Sequence, residues 1–388
     1  QRSLRPLKRR VPSPVGQVID EEATAHRIAR LGGHPRGWLP VLRPADERWL
    51  RLCLVYDAGP TMPIWRPLVH ELHTALAQSG IFRTVELHRA TPDGRVPPQA
   101  AHAPATGRTV VLLISDCMGP QWREGPAGTL WYRTLRRWAS QLPLALIQPL
   151  PERLWRTTAL PTTPGTLSAP HPASPSASLA FTPYAADPAP PRGATPIPVL
   201  EPSPTWLSHW ASLVADAGGC QLPGSVAWLG RTPPVPEPEA EAVTDLTPED
   251  LVLRFRSTAS PEAFRLAGHL AVGEPHLPVM RLVQAAVEER PRPQHLAEVI
   301  LSGMLSSGAG AGSYAFRDGV RELLLRTLPR TARGRTRELL ARVGGLIDER
   351  AGVAPGELRA VVSTGGGAGD QAPAGEPFAT VTPESVRQ

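Results

Sequence analysis

Lysine is almost absent from this sequence of 388 residues, in which Lys8 is the only lysine among 41 basic residues. A P-loop needs a lysine that reaches the terminal phosphates, and pyridoxal phosphate enzymes need a lysine for their Schiff base. Lys8 lies in an arginine-rich stretch near the first residue and meets neither requirement. The chain is therefore not a P-loop NTPase or a pyridoxal phosphate enzyme, and we expect it to bind no nucleotide.

Cysteines and long apolar runs are also scarce. Cys53, Cys117 and Cys220 are far apart and form no CxxC pair, so no disulfide framework is predicted. No run approaches the roughly 18 consecutive apolar residues of a membrane-spanning helix. The first residues, QRSLRPLKRRVPSP, lack the apolar core of a signal peptide. We therefore expect a reduced, cytoplasmic protein that has no membrane partner.

The net charge of +6 and the pI near 9.9 would suit an acidic partner or nucleic acid. However, arginine in place of lysine, together with abundant alanine, glycine and proline, is typical of GC-rich coding sequences such as those of actinobacteria. Seven arginines between Arg317 and Arg337 have no aromatic residues among them. This pattern favours a solvated helix face over a phosphate-binding surface, so basicity is weak evidence for nucleic-acid binding.

The 47 prolines are too many for packed structure throughout, and they divide the chain into segments. We predict five parts: a basic N-terminal arm over 1–44, an α/β domain over 45–230, a linker over 231–247, a helical domain over 248–352 and a flexible tail over 353–388. The tail is rich in glycine, alanine and proline and too polar to fold alone.

The first large domain alternates strands and helices. Three stretches contain the apolar runs that are typical of strands buried on both faces of a parallel sheet. They are RWLRLCLVYD, TVVLLISD and LALIQPL. Apolar residues with helical spacing follow the first of these runs and precede the last one. Strands therefore alternate with helices, and the predicted fold class is α/β, with a Rossmann-like, mostly parallel sheet that helices cover. Residues 161–204 contain 13 prolines in 44 positions. We predict that this segment is extended and packs on the domain.

The second domain has the spacing of helices. Apolar residues recur three and four positions apart, for example at Met280, Val283 and Val287. A glycine-rich turn, SSGAGAGSYAF, interrupts the helices and ends in a short apolar strand. Helices combined with a short strand predict a mainly α-helical, winged-helix-like domain.

Asp57 and Asp116 each end a predicted parallel strand, so both should lie at the carboxyl edge of one sheet, where open α/β sheets bind ligands. Thr61 follows in the loop after Asp57 and adds a hydroxyl. Two carboxylates and a hydroxyl suit a hard divalent cation such as Mg²⁺. Asp57, Thr61 and Asp116 are therefore the predicted metal ligands. In the alternative interpretation, each aspartate only stabilises a turn or the start of the following helix.

The stretch DAGPT, residues 57–61, resembles the Asp-x-Ser-x-Ser metal-ion-dependent adhesion motif of von Willebrand factor A domains. VLLISD, residues 111–116, resembles the later strand that supplies the distal aspartate of those domains. The resemblance implies the first aspartate's role for Asp57, the second serine's for Thr61 and the distal aspartate's for Asp116. Gly59 stands where the first serine is expected, so one ligand is missing and Mg²⁺ binding should be weak or lost.

The wider pattern resembles an actinobacterial family in which a degenerate A-like module and a small helical domain precede effector regions. Stretches such as IQPLPERLWR and SPEAFRLAGHLA carry this resemblance. It implies a regulatory or adaptor protein of a conflict system, such as anti-phage defence, or of a signalling system. Such a protein would act beside an NTPase of the MoxR-type AAA+ class and an effector domain, without catalysis of its own.

Two alternatives to this adaptor function stay open. One is a nucleic-acid-binding regulator that uses the basic helical domain. The other is a metal-dependent hydrolase that uses Asp116, Cys117 or a bound metal.

Overall fold

A computed structural model describes residues 2–32, 34–101, 108–185, 193–233, 246–307 and 313–351. The chain divides into two compact units, one of residues 1–62 and 66–235 and the other of residues 63–65 and 236–388. The predicted tail from residue 353 onward and most of the predicted linker lie outside the described residues.

The first unit contains ten described strands and five described helices. The strands are β1 (Arg10–Ile19), β2 (Leu42–Arg48), β3 (Arg51–Tyr56), β4 (Val85–Arg89), β5 (Thr109–Ile114), β6 (Leu144–Ile147), β7 (Thr162–Ser168), β8 (Ala180–Pro183), β9 (Thr195–Leu200) and β10 (Leu222–Leu229). The helices are α1 (Glu21–Arg30), α2 (Arg66–Ala77), α3 (Pro98–Ala101), α4 (Pro126–Gln141) and α5 (Pro204–Ala215). Short 3-10 turns include Arg2–Leu7, Pro35–Trp38 and Pro120–Trp122.

Eight of these strands form one sheet in the order β4-β3-β5-β6-β9-β10-β7-β8. The strands from β4 to β9 in this order are parallel, and β10, β7 and β8 continue the sheet by antiparallel pairing. Every residue of β5 and β6 is buried, and since neighbouring side chains point to opposite faces, both faces of the sheet are covered. The predicted α/β class with a mostly parallel sheet is confirmed.

If the five parallel strands β3, β4, β5, β6 and β9 are numbered 1 to 5 as they follow in the chain, their order across the sheet is 2-1-3-4-5. This is one of the two common doubly wound orders. The chain leaves β3 on one side to form β4 and returns on the other side to form β5. This reversal opens a crevice at the carboxyl ends of β3 and β5, where ligands of such sheets bind.

The proline-rich segment 161–204 does more than pack on the sheet, because it supplies the strands β7, β8 and β9. Ile197, Val199 and Leu200 of β9 are buried, whereas Tyr184 is 63% exposed. Prolines fit in β9 because this strand pairs with β6 only through its last two residues. The high proline content therefore obscured these strands in the sequence, although it does not prevent their formation.

The N-terminal region, predicted as an arm, contains β1, α1 and β2. β1 pairs with β2 in an antiparallel, two-stranded sheet. The Arg2–Leu7 turn buries Leu4 and Leu7, and the carbonyl of Leu7 accepts a hydrogen bond of 2.7 Å from Trp49 Nε1. The Arg9 guanidinium also stacks over the Trp49 ring. The start of the described chain is thus anchored to the first unit.

The second unit consists mainly of helices. These are α6 (Pro248–Thr258), α7 (Pro261–Leu270), α8 (Leu277–Val287), α9 (Pro293–Ile300), α10 (Val320–Thr327) and α11 (Arg330–Ala351). β11 (Leu305–Ser307) and β12 (Tyr314–Phe316) form an antiparallel hairpin between α9 and α10. The hydroxyls of Thr247 and Ser260 accept hydrogen bonds from backbone N–H groups at the starts of α6 and α7. The glycine turn of the hairpin lies outside the described residues.

Replacing Ile197 by alanine tests whether β9 belongs to the folded core. Because Ile197 is buried and paired with Ala227 of β10, we expect Ile197→Ala to lower the free energy of unfolding by about 2–4 kcal/mol. Tyr184→Ala, in the same proline-rich segment but exposed, should change it by less than about 0.5 kcal/mol. Urea unfolding followed by tryptophan fluorescence measures both, since nine of the ten tryptophans belong to the first unit. Equal effects of the two substitutions would contradict the position of β9.

Candidate functional site at the carboxyl edge of the sheet

The two predicted aspartates follow adjacent parallel strands, as expected. Asp57 comes directly after β3 and Asp116 lies two residues after the end of β5, and these strands pair in parallel. The ladder continues past the strands, because the N–H of Asp57 donates to the carbonyl of Ile114 at 3.2 Å. The structure therefore places both residues at the crevice of the doubly wound sheet.

The strand register places Ser115 beside Asp57. Tyr56 is paired with Ile114, so the next position on each strand brings Asp57 opposite Ser115. Adjacent residues on an extended chain point in opposite directions, which turns Asp116 away from Ser115. Ser115 was missed from the sequence because an apolar run does not reveal its register.

The Asp57 carboxylate accepts three hydrogen bonds. Oδ1 accepts one from the N–H of Gly59 at 2.9 Å, and Oδ2 accepts one from Trp122 Nε1 at 3.0 Å and another from the Ser115 hydroxyl. Asp57 is 0% exposed. The carboxylate thus links the loop after β3 to the loop after β5, and its oxygens are occupied by donors of the protein.

Gly59 stands at a close approach of these two loops. A Cβ at this position would lie 3.1 Å from Gly119 Cα and 3.2 Å from Asp57 Oδ1. Such contacts are tighter than about nine in ten real Cβ contacts, so a serine here would require the neighbouring atoms to move by a few tenths of an ångström. The missing serine of the adhesion motif therefore has a steric reason in this chain.

Burial raises the pKa of Asp57, because it disfavours the charged form. Hydrogen bonds from Ser115, Trp122 and Gly59 oppose this effect without cancelling it. The Gln121 amide also lowers the pKa of Asp57, although neither of its polar atoms meets the distance and angle of a hydrogen bond among the described residues. Gln121 therefore acts on Asp57 as a nearby dipole and not as a fourth hydrogen-bond donor.

Cys117 lies in the same crevice and is fully buried. Burial and the neighbouring carboxylates of Asp57 and Asp116 raise the pKa of its thiol well above the ordinary value. Its backbone has the left-handed φ of 57°, which is uncommon outside glycine. A thiolate is the reactive form of cysteine, so this environment disfavours the nucleophile considered in the sequence.

The third predicted ligand, Thr61, has a buried hydroxyl oxygen without a hydrogen-bond partner in the described part of the chain. Asp116 is buried, and its Oδ1 accepts a hydrogen bond from the N–H of Met118 at 3.2 Å. Over the described residues, no three His, Cys, Asp or Glu side chains are arranged to hold a metal ion. Asp57 Oδ2 accepts two hydrogen bonds and Oδ1 accepts one, so a cation at Asp57 would compete with donors of the protein, and these residues as placed fit Mg²⁺ with its usual waters poorly.

The chain matches no protein-family model, no curated protein and no solved structure. The resemblance to von Willebrand factor A domains therefore rests on the sequence motifs and stays a prediction. Within the described ranges, no helix combines the length and apolar character needed to span a bilayer.

Asp57→Ala tests the structural role of the buried carboxylate. The substitution leaves the Ser115 hydroxyl and the Trp122 indole N–H without their acceptor, so we expect the free energy of unfolding to fall by about 2–4 kcal/mol. Asp57→Asn keeps the size and one acceptor oxygen and should cost less. Urea titrations of the three proteins measure the difference. An Asp57→Ala protein as stable as the native chain would contradict the hydrogen-bond network.

The pH dependence of the same proteins tests the pKa of Asp57. A folded-state pKa above the ordinary 3.8 means that the folded state binds this proton more tightly than the unfolded state. The associated stability is present below pH 3.8 and is lost as the pH rises through the folded-state pKa. The native chain should therefore gain stability over Asp57→Asn as the pH falls in this window. A pH-independent difference would show that the pKa is not raised.

Magnesium binding is tested by calorimetry with Mg²⁺ and Mn²⁺ on the native chain and on Asp57→Asn. Because donors of the protein occupy both oxygens of Asp57, we expect at most weak binding that disappears in Asp57→Asn. Tight binding that survives this substitution would place the metal site elsewhere.

Proposed function

We propose that this chain is a non-catalytic regulatory or adaptor module that binds another protein. The observation that carries the proposal is a concentration of exposed apolar side chains in the N-terminal region. Seven of the nine large apolar side chains that are exposed among the described residues lie between positions 15 and 42. This N-terminal apolar surface consists of Val15, Val18, Ile19, Leu31, Trp38, Leu39 and Leu42.

The element that carries this surface buries little of itself. β1 and β2 pair only with each other in the described chain, so each has an open edge. α1, which lies between them, contains no buried residue. A two-stranded ribbon is marginally stable on its own, and exposed apolar clusters of this kind mark protein interaction sites. Open edges next to apolar side chains suit a partner that adds an extended, apolar strand.

The closed carboxyl edge of the sheet supports a function without catalysis. Asp57 and Cys117 are fully buried, and the Cys117 thiol is held protonated. A hydrolase would need a nucleophile that substrate can reach. This observation favours the adaptor function over the hydrolase considered in the sequence.

The basic stretch of the second unit supports protein recognition more than nucleic-acid binding. The Arg321 guanidinium donates to the carbonyl of Ala271 at 2.9 Å, and the Nε atoms of Arg317 and Arg333 are buried. Arginines used inside the unit are not available to neutralise phosphates of a duplex.

The proposal also includes the fold types expected from the sequence. These are a winged-helix-like second unit, which the β11–β12 hairpin between α9 and α10 supports, and an A-like first unit.

The partner class follows from the sequence resemblance. We infer that the chain acts beside an AAA+ NTPase of the MoxR type and an effector in a defence or signalling assembly. The N-terminal apolar surface would bind an apolar strand of one of these proteins. The first candidates to test are proteins encoded next to this chain.

Leu39→Ser and Trp38→Ser test this surface. Leu39 and Trp38 are 62% and 68% exposed, so the substitutions should leave the fold intact and weaken association by about tenfold or more. Leu253→Ser is the matched control, because Leu253 is 64% exposed on α6, outside this surface. Binding of a purified AAA+ protein from the neighbouring genes can be measured by biolayer interferometry, with circular dichroism to confirm folding.

The outcomes separate the possible functions. Binding that is lost in Leu39→Ser and kept in Leu253→Ser supports the proposal. Equal binding by the native chain and the variants Leu39→Ser, Trp38→Ser and Leu253→Ser contradicts the role of the surface. Concentration-dependent dimerisation that Leu39→Ser abolishes would identify a second copy as the occupant. Binding of duplex DNA that falls steeply with salt would favour the nucleic-acid regulator instead.

A further inference from the structure

The second unit contains an open cavity of about 930 Å³ between α7, the end of α8, the start of α9 and α11. This volume is in the range of small-molecule sites in proteins. Twelve of the sixteen lining residues are charged or polar. The cationic and imidazole side chains of the wall used below are Arg265, His269, Arg290, Arg292, His295 and Arg335.

The guanidinium groups of the cavity are in excess over its available carboxylates. The side chains of Arg265, Arg290, Arg292 and Arg335 form no ion pair with another described residue, unlike Arg342, which pairs with Glu338 at 2.7 Å. Glu288 is engaged by His295 at 2.9 Å. Because a neutral imidazole does not offset the charge of Glu288, four guanidinium groups face the three carboxylates of Glu262, Glu288 and Glu289, which leaves an excess of one positive charge in the wall.

Both histidines of the wall have one ring nitrogen fixed. His295 Nδ1 donates to the Glu288 carboxylate. His269 Nδ1 lies 2.7 Å from the Thr336 hydroxyl, which also lies 3.1 Å from the carbonyl of Ala332, so one ring nitrogen of His269 is engaged inside the unit. Protonation of His269 makes both of its ring nitrogens N–H donors. A bound anion would favour this protonation, because the imidazolium adds a second N–H donor.

Like charges meet at His269. Burial and the nearby guanidinium groups of Arg265 and Arg335 lower the pKa of this histidine. Arg265 and His269 lie on α7, and Arg335 and Thr336 lie on α11, so the two helices bring these groups together. An anion between the helices would relieve this repulsion.

We propose that this cavity binds a small molecule that carries phosphate groups, with Arg265 and Arg335 as its principal ligands. Guanidinium groups present planar pairs of N–H donors that match phosphate oxygens. The walls belong to several helices around a concave space, which suits a compact anion better than a duplex. The inference does not depend on the N-terminal apolar surface. It would give the proposed adaptor a site for a regulatory ligand.

Inorganic pyrophosphate is the probe for the first experiment. Calorimetry on the full chain should show saturable binding of one pyrophosphate. The double variant Arg265→Gln/Arg335→Gln should weaken it by about tenfold or more, because two charge-assisted contacts are lost. Arg256→Gln is the matched control, since Arg256 is exposed on α6 and does not line the cavity. Circular dichroism confirms that the variants fold, as expected for side chains without ion pairs to described residues.

The His269 ring gives a second, independent readout. Its pKa lies below 6.5 without ligand, and bound pyrophosphate should raise it in an imidazole NMR titration. Absence of binding, or an equal loss in Arg256→Gln, would overturn the proposal. It would also be overturned if duplex DNA displaced pyrophosphate at stoichiometric concentration, because the cavity would then be part of a nucleic-acid surface. Failure here leaves the apolar surface untouched, since Leu39→Ser tests that surface separately.

Discussion

The buried carboxylate of Asp57 is the interaction on which the carboxyl edge of the sheet depends. It ties the loop after β3 to the loop after β5 through Gly59, Ser115 and Trp122. Removing a carboxylate from water is costly, and several donors are needed to offset that cost. The three hydrogen bonds meet this requirement only in part, since the pKa of Asp57 is still raised. The loops are therefore held in one arrangement, because any other would leave a buried charge without donors.

Trp122 carries this constraint from the crevice into the rest of the first unit. Its ring packs edge-on against the rings of Trp131 and Tyr132, with ring centroids 5.8 Å and 6.2 Å apart. Trp131 in turn contacts Trp138, and the Trp138 indole donates to the carbonyl of Ala100. One continuous set of aromatic contacts thus joins the Asp57 network to α4 and α3. At this edge, where other doubly wound sheets bind ligands, the side chains of Asp57, Cys117 and Trp122 are buried.

The sequence predicted the central strands because their apolar runs are explicit, and it predicted the adjacency of the two aspartates because each ends such a run. It could not predict that Ser115 is the partner of Asp57, since the pairing register depends on contacts between strands far apart in the chain. β9 was hidden because the prolines of TPIPVL argue against a strand when its neighbours are unknown. The N-terminal ribbon was missed for a similar reason, because polar and basic residues alternate there with apolar ones that stay exposed.

The arginines show why composition alone could not assign a binding site. In the second unit, Arg321 donates to the backbone carbonyl that follows α7, whereas Arg265 and Arg335 line a cavity without ion-pair partners among the described residues. All three carry the same charge and lie in helices of similar pattern. What separates them is the geometry of neighbouring helices, which decides whether a guanidinium meets a carbonyl, a carboxylate or open space. An excess of arginine can therefore hold a helical unit together and leave one local region of unbalanced positive charge, and that region is where an anion gains most by binding.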